Sequence, residues 1–255
     1  MKTKIEEKHQ VTPRKPLLIE GLPGLGMVGR ITTRYLIKQL KAEKFAFLHS
    51  PHFPYYVIVD KKGNTRLLRG EFHYWKNPKG NDLLFFTGDS QAQTIEGQYE
   101  IAETILNFAK KHEVETIITL GGYRKEAGKM PKVIATATDG KTLNEAIEAG
   151  ASQSLPGNPI VGTAGLLVGM AKFKEIPALC LLGETRGYLP DPKAAKSILL
   201  VLQRMLKVTI NLDKIDKEIM KSNKILEKMR QIETRRETYA KKARKSEEGK
   251  TSYIS

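Results

Sequence analysis

The chain has 255 residues, 40% of them hydrophobic, with 43 Lys and Arg against 28 Asp and Glu and a net charge of +15. That length suits one large domain or a domain with an appendage. No segment approaches the roughly 20 consecutive apolar residues of a bilayer span. The opening Met1-Lys2-Thr3-Lys4-Ile5-Glu6-Glu7-Lys8 lacks the apolar core of a signal peptide. The expected location is the cytoplasm, and the single cysteine, Cys180, excludes an internal disulfide.

In chain order, residues 1–14 read as a flexible N-terminus, and residues 15–210 as one globular domain. The apolar run from Pro16 to Ile19 predicts a short buried strand, and Ile31, Tyr35, Leu36 and Leu40 then recur at helical spacing. Phe45 to Leu48 and Val57 to Val59 read as strands, as does Arg66 to Trp75, where Leu68, Gly70, Phe72 and Tyr74 alternate. Asp82 to Thr87 is a buried strand ending at Gly88-Asp89, followed by a helix whose face carries Ile95, Tyr99, Ala102, Leu106 and Ala109. Thr116 to Leu120 is a buried strand stopped by Gly121-Gly122. A further strand spans Lys132 to Thr138, a short helix Lys141 to Ala149, and a glycine-rich buried helix Val161 to Ala171. Pro177 to Leu182 is the last central strand, ending at Gly183-Glu184-Thr185. Asp191-Pro192 starts a helix as N-cap and first-turn proline, with Ala195, Ile198, Leu202 and Met205 on one face. The alternation predicts a mixed α/β sheet with helices on both faces.

Between the first strand and first helix lies Gly21-Leu22-Pro23-Gly24-Leu25-Gly26-Met27-Val28-Gly29. Gly24, Gly26 and Gly29 match G-x-G-x-x-G in the strand–turn–helix context that a dinucleotide site requires. The other parts of such a site are missing. No acid ends the second strand, which runs into His49-Ser50-Pro51 and meets no Asp or Glu until Asp60. Arg30 follows the last glycine where a P-loop has Lys and Ser or Thr, and Pro23 removes one backbone N–H. The expectation is a tight turn and close helix–strand packing, with no nucleotide or other cofactor. An enzyme with a nucleotide or nucleoside pocket at this turn is the alternative. The apolar Leu22, Leu25 and Met27 are candidate oligomer contacts.

The search for chemistry yields little. His9, His49, His52, His73 and His112 show no metal-ligand spacing, and no G-x-S-x-G elbow is present. Cys180 lies in an apolar strand pattern and reads as an inert core thiol. Asp89, Asp139 and Glu184 end predicted strands, where α/β enzymes place ligands and where helix-capping acids also sit. No catalytic residue is assigned. The basic balance lacks any zinc-finger, helix-turn-helix or RNA-reading motif, so the charge is read as solvated surface rather than a nucleic-acid site.

The last 45 residues change character. Leu212, Ile215, Ile219, Leu226 and Met229 form a narrow apolar seam, and 13 Lys and Arg face 8 Asp and Glu over residues 213–250. Residues 211–245 read as a projecting helix and 246–255 as a flexible tail. The tail ends in Tyr253-Ile254-Ser255, a candidate anchor for a partner pocket.

Four segments together carry a family resemblance. They are Leu18 to Gly29; Thr87-Gly88-Asp89-Ser90-Gln91 with Tyr99; Gly121-Gly122-Tyr123; and Gly183-Glu184-Thr185-Arg186-Gly187-Tyr188 with Asp191-Pro192-Lys193-Ala194-Ala195. Over residues 15–210 the chain resembles the archaeal proteasome assembly chaperones. The resemblance implies a phosphorylase/hydrolase-like α/β fold without known catalysis. It implies self-assembly, here into roughly four or five subunits, and binding to proteasome subunits or to a dedicated partner protein. Some members resemble proteasome activators in ending with a hydrophobic residue, a penultimate tyrosine and any last residue. This chain departs from that pattern, since Tyr253 is third from its end.

Overall fold

The structure is a computed structural model that describes residues 2–125, 130–225 and 227. Eleven strands and six helices are found there. The strands are β1 (Lys4–Glu7), β2 (Leu17–Glu20), β3 (Glu43–His49), β4 (Val57–Val59), β5 (Thr65–Leu67), β6 (Gly70–Trp75), β7 (Leu83–Gly88), β8 (Thr116–Arg124), β9 (Val133–Ala137), β10 (Ser152–Gln153) and β11 (Ala178–Thr185). The helices are α1 (Val28–Leu40), α2 (Ile95–Lys111), α3 (Gly140–Glu148), α4 (Thr163–Ala171), α5 (Pro192–Leu206) and α6, residues 213–225.

Nine strands form one mixed sheet in the order β1-β3-β6-β7-β2-β8-β11-β9-β10, and β4 and β5 pair separately. Its centre, β7-β2-β8-β11, is parallel, while β1, β3 and β6 join as antiparallel neighbours on one side and β9 on the other. The central strands read Leu-Leu-Phe-Phe and Ala-Leu-Cys-Leu-Leu because both faces are covered, as parallel sheets require. On one face, α2 and α4 pack through Ile101, Ile105 and Leu167 against Leu18, Phe72 and Phe86. On the other, α1, α3 and α5 bring Leu36, Ala146, Ile198 and Leu202 onto Ile19, Phe85 and Leu181. Three helix starts are fixed by side chains: Thr94 accepts from Gly97 N, Asp139 from Thr142 N, and Asp191 from Lys193 N and Ala194 N.

Several boundaries depart from the sequence expectation. Lys4–Glu7, placed in a flexible N-terminus, pairs antiparallel with β3 as the edge strand. The predicted Arg66 to Trp75 strand is two strands. β5 joins the outlying hairpin and β6 joins the main sheet, and the carboxylate of Asp89 holds the Arg69 N–H at the break. β8 and β11 do not stop at their glycines but continue, Gly121 opposite Leu182 and Gly122 opposite Gly183. Extended backbone accepts glycine, and the missing side chains at this point make room for the turn after β2. At the C-terminal end, α6 is rooted on the domain. Ile215 is fully buried, and the Tyr35 hydroxyl donates to Asn211 O at 2.6 Å and accepts from Ile215 N at 3.3 Å. Beyond that root Met220 and Ile225 are exposed. The expected flexible tail, with Tyr253, Ile254 and Ser255, and the remainder of the predicted projecting helix lie outside the described residues.

Candidate functional site at the C-terminal edge of the sheet

The four segments singled out in the sequence meet at one place, the C-terminal edge of β2, β7, β8 and β11. β2 delivers the glycine-rich turn there. Gly21 N donates to Phe86 O at 2.9 Å, and the Thr87 hydroxyl donates to Gly21 O at 2.8 Å. The glycines serve close approach. A Cβ on Gly21 would lie 2.3 Å from Gly29 O, one on Gly29 would lie 2.2 Å from Leu120 O, and one on Gly122 would lie 2.4 Å from Leu25 O. Gly26 has φ +58°, a left-handed conformation that favours glycine. The first turn of α1 thus presses directly on β8.

Several polar groups of this turn are bonded by the chain itself. Gly26 N donates to Gly187 O at 3.3 Å, and Asp191 N donates to Gly26 O at 2.8 Å. Gln91 Nε2 donates to Pro23 O at 2.7 Å, and Gln91 Oε1 accepts from Thr163 N at 3.1 Å. The Thr163 hydroxyl donates to Gln98 Oε1 at 2.7 Å. One glutamine therefore ties the turn to the start of α4, and Thr163 ties it on to α2. Such a turn is a packing device. Its geometry agrees with the tight turn and close helix–strand packing expected from the sequence.

The acids that end the strands are likewise engaged. Asp89 accepts from Arg66 at 2.6 and 3.2 Å and from Arg69 N at 3.1 Å. Burial opposes its charge, but these partners hold its pKa below the ordinary aspartate value. Glu184 is also buried, and the Lys132 N–H and the Lys125 ammonium, each at 3.0 Å, hold its pKa down. Asp139 caps α3. Burial pushes the Cys180 thiol up to about 12, which keeps it protonated and inert. Of the histidines, His52 pairs with Glu100 at 2.9 Å and His73 is buried. No cluster of three metal-ligating side chains occurs among the described residues.

One residue at the edge was not singled out from the sequence. Glu20, the last residue of β2, is 1% exposed, and burial pushes its pKa up to about 8, only partly offset by the backbone N–H groups of Leu22 and Leu120. The available signal was a carboxylate closing an otherwise apolar strand, Leu17-Leu18-Ile19-Glu20.

The three candidate oligomer contacts separate. Leu22 is 4% exposed and belongs to the core beneath Gly88, so it is not presented at the surface. Leu25 is 38% exposed and Met27 is half-buried. Around them the edge is rimmed by exposed apolar side chains. Tyr188 stands beside Arg124, Ile95 and Tyr99 share one side of α2, and Tyr55 and Tyr56 lead into the β4–β5 hairpin. Val161, before α4, is 88% exposed.

The fold and edge define an α/β protein whose strand-end turn is closed by its own backbone and ringed by exposed apolar groups. The chain belongs to the PAC2 family, whose model matches residues 18–230. It is 34% identical to an uncharacterized protein of Methanocaldococcus jannaschii over 220 residues, 85% of this chain and 84% of that one. It is similar to the crystal structure of Pyrococcus furiosus PbaB, described as an archaeal proteasome activator. That match has a TM-score of 0.86 and 35% identity, and covers 90% of this chain and 99% of the other. It is also similar to Pyrococcus furiosus PbaA, described as an archaeal homolog of proteasome-assembly chaperone, with a TM-score of 0.73 and 26% identity over 89% of this chain and 96% of PbaA.

Proposed function

We propose that this chain is a non-enzymatic, self-assembling cytoplasmic protein that works with the proteasome, as an assembly chaperone or an activator-like scaffold. The observation that carries this reading is its likeness, over nearly the whole of both chains, to an archaeal proteasome activator. The site geometry supports it. The strand-end acids Asp89, Asp139 and Glu184 serve in ion pairs and a helix cap, and Cys180 is a core thiol. A phosphate at the glycine-rich turn would need backbone N–H donors, and those of Leu22, Gly26 and Met27 already donate to the Glu20 carboxylate, Gly187 O and Gly24 O.

Self-assembly into roughly four or five subunits would use the globular domain. Leu25 and Met27, with their exposed apolar neighbours, are the contacts we assign to it. The partner is a proteasome subunit or a dedicated protein, and we assign its capture to Tyr253, Ile254 and Ser255. α6 is anchored at the buried Ile215, and Met220 and Ile225 beyond it are exposed, which supports a helix that carries the chain outward. Burying one tyrosine and one isoleucine contributes about 3–5 kcal/mol, and ordering costs remove much of it. Several tails on one assembly would bind together by avidity.

The test is native mass measurement of the full chain, alone and mixed with archaeal proteasome particles. The expected result is a defined oligomer that binds the particle. Tyr253→Ala with Ile254→Ala should weaken that binding at least tenfold and leave the oligomer intact. A monomer with no affinity for the particle or its subunits would overturn the reading.

A further inference from the structure

The outer side of α1 carries a feature that the reading above does not use. This helix has no acidic residue in its sequence, Val-Gly-Arg-Ile-Thr-Thr-Arg-Tyr-Leu-Ile-Lys-Gln-Leu. Arg30, Arg34 and Lys38 follow at steps of four, so they share one stripe. Beside that stripe, Arg66, Arg69 and Lys44 hold two carboxylates. Arg66 pairs with Asp89, while Arg69 and Lys44 reach the same oxygen of Glu71 at 3.0 and 2.9 Å. The acids are the inner members of these pairs. Asp89 and Glu71 side chains are 12% and 15% exposed, against 35%, 23% and 36% for Arg66, Arg69 and Lys44. Five cations, counting Arg30 and Arg34, thus face two anions, a local net charge of +3.

Arg30 sits in the field of this group. Asp89 and Glu71 favour its charge, while burial and Arg34 oppose it. Yet the Arg30 side chain makes no hydrogen bond or ion pair among the described residues, and its Nε is shielded from solvent with no partner. A buried unpaired guanidinium donor and a like-charged pair one helical turn apart are both unfavourable. An oxyanion bound between the outer ends of the two guanidinium groups would relieve the like-charge repulsion, because guanidinium groups bind carboxylate or phosphate in a planar fork.

The surroundings point to the source of that anion. The site is open. Arg34 is exposed, and Tyr56, near Arg30, and Tyr55 are exposed. Arg69 stacks 3.9 Å over Phe47, with the Lys44 and Lys8 ammonium groups 5.4 and 5.7 Å from the same ring. A free phosphate gains little from so wide a surface. An extended chain with several carboxylates can span it and lay its aliphatic stems on the aromatic rings.

We propose that Arg30 and Arg34, backed by Arg66 and Arg69, form a binding site for the carboxylates of an acidic segment in a partner protein. This rests on the reading of the chain as a protein-binding protein, and its test uses no proteasome component, so either idea can fail without the other. Fluorescence anisotropy of a labelled glutamate peptide, about ten residues long, is measured with the full chain at low salt. Binding that weakens as salt rises is expected. Arg30→Gln with Arg34→Gln should weaken it at least tenfold, with the unfolding midpoint unchanged or raised. Lys38→Gln with Lys41→Gln, which removes the same charge at the C-terminal end of the helix and just beyond it, should weaken it less than threefold. If the double variant fails to fold, the exposed Arg34→Gln alone should still weaken binding at least threefold. Equal losses from the two pairs would mean a diffuse field and overturn the site. No binding by the native chain would overturn it too. Displacement of the peptide by inorganic phosphate at matched charge concentration would make this a small-anion site and overturn the peptide assignment.

Discussion

The interior and the rim of the sheet's C-terminal edge come from the same stretches of chain, yet they solve opposite problems. Inside, Gly21, Gly29 and Gly122 give up their side chains so that backbone meets backbone, and Gly187, Asp191 and Gln91 take the turn's polar groups. On the rim, Tyr55, Ile95, Val161 and Tyr188 are exposed, and the Arg30 side chain has no bonded partner among the described residues. A glycine-rich strand-end turn therefore need not mark a pocket. The glycines can serve stability, while function moves outward to the side chains around them.

The sharpest way to break this comparison is to place a side chain in the interior. Gly29→Ala puts a Cβ 2.2 Å from the Leu120 carbonyl, where both partners are backbone and neither can step aside. A loss of about 3 kcal/mol or more is expected, read by chemical denaturation. A cost below about 1 kcal/mol would show that α1 and β8 do not need this contact.

Next in size is the buried acid. The pKa of Glu20 rises from 4.5 to about 8 on folding, so the folded state keeps a proton that the unfolded chain loses. Its contribution is fully favourable below pH 4.5, declines as pH rises from 4.5, and is at its least favourable above about 8. Each pH unit in that window costs about 1.4 kcal/mol. Glu20→Gln removes the titration and should be more stable than the native chain by about 3 kcal/mol at pH 7. The advantage should vanish near pH 4.5. Parallel stability curves over pH 4.5–8 would show that Glu20 is not the titrating group.

The smallest effect on stability belongs to the rim. Tyr55→Ser with Ile95→Ser should change the unfolding free energy by no more than about 0.5 kcal/mol per site, since both side chains are exposed. The same pair should shift sedimentation toward smaller species if the rim carries self-assembly. A large loss of stability with no change in association would reverse the contrast between interior and rim.

Much of the architecture was legible in the sequence. Continuous apolar runs marked the central strands, and the four- and three-residue steps of Ile95, Tyr99, Ala102, Leu106 and Ala109 marked α2, although Ile95 and Tyr99 proved exposed at its start. Asp191-Pro192 marked the start of α5. Each rests on local periodicity or capping, which one segment expresses alone. The family resemblance likewise rested on four short segments, and the PAC2 family match agrees with it. Legibility ended where a strand's fate depended on its neighbours. Lys4–Glu7 is polar and forms a strand only because the β3 edge is there to pair with it. Gly121-Gly122 reads as a stop in isolation, but becomes the interior of β8 because β11 continues beside it.

By itself, then, the sequence determined the α/β class, the order of the central strands and helices along the chain, and the absence of the acid and lysine that a nucleotide turn requires. Those are properties of residue type and spacing, readable without partners. Tertiary structure alone decided that Leu22 enters the core while Leu25 faces out, that Glu20 keeps its proton near neutral pH, and that the Arg30 side chain lies unbonded beside Asp89 and Glu71. Burial and electrostatic neighbourhood depend on segments far apart in the chain, here residues 20–34, 66–71 and 89, and no local pattern encodes their meeting.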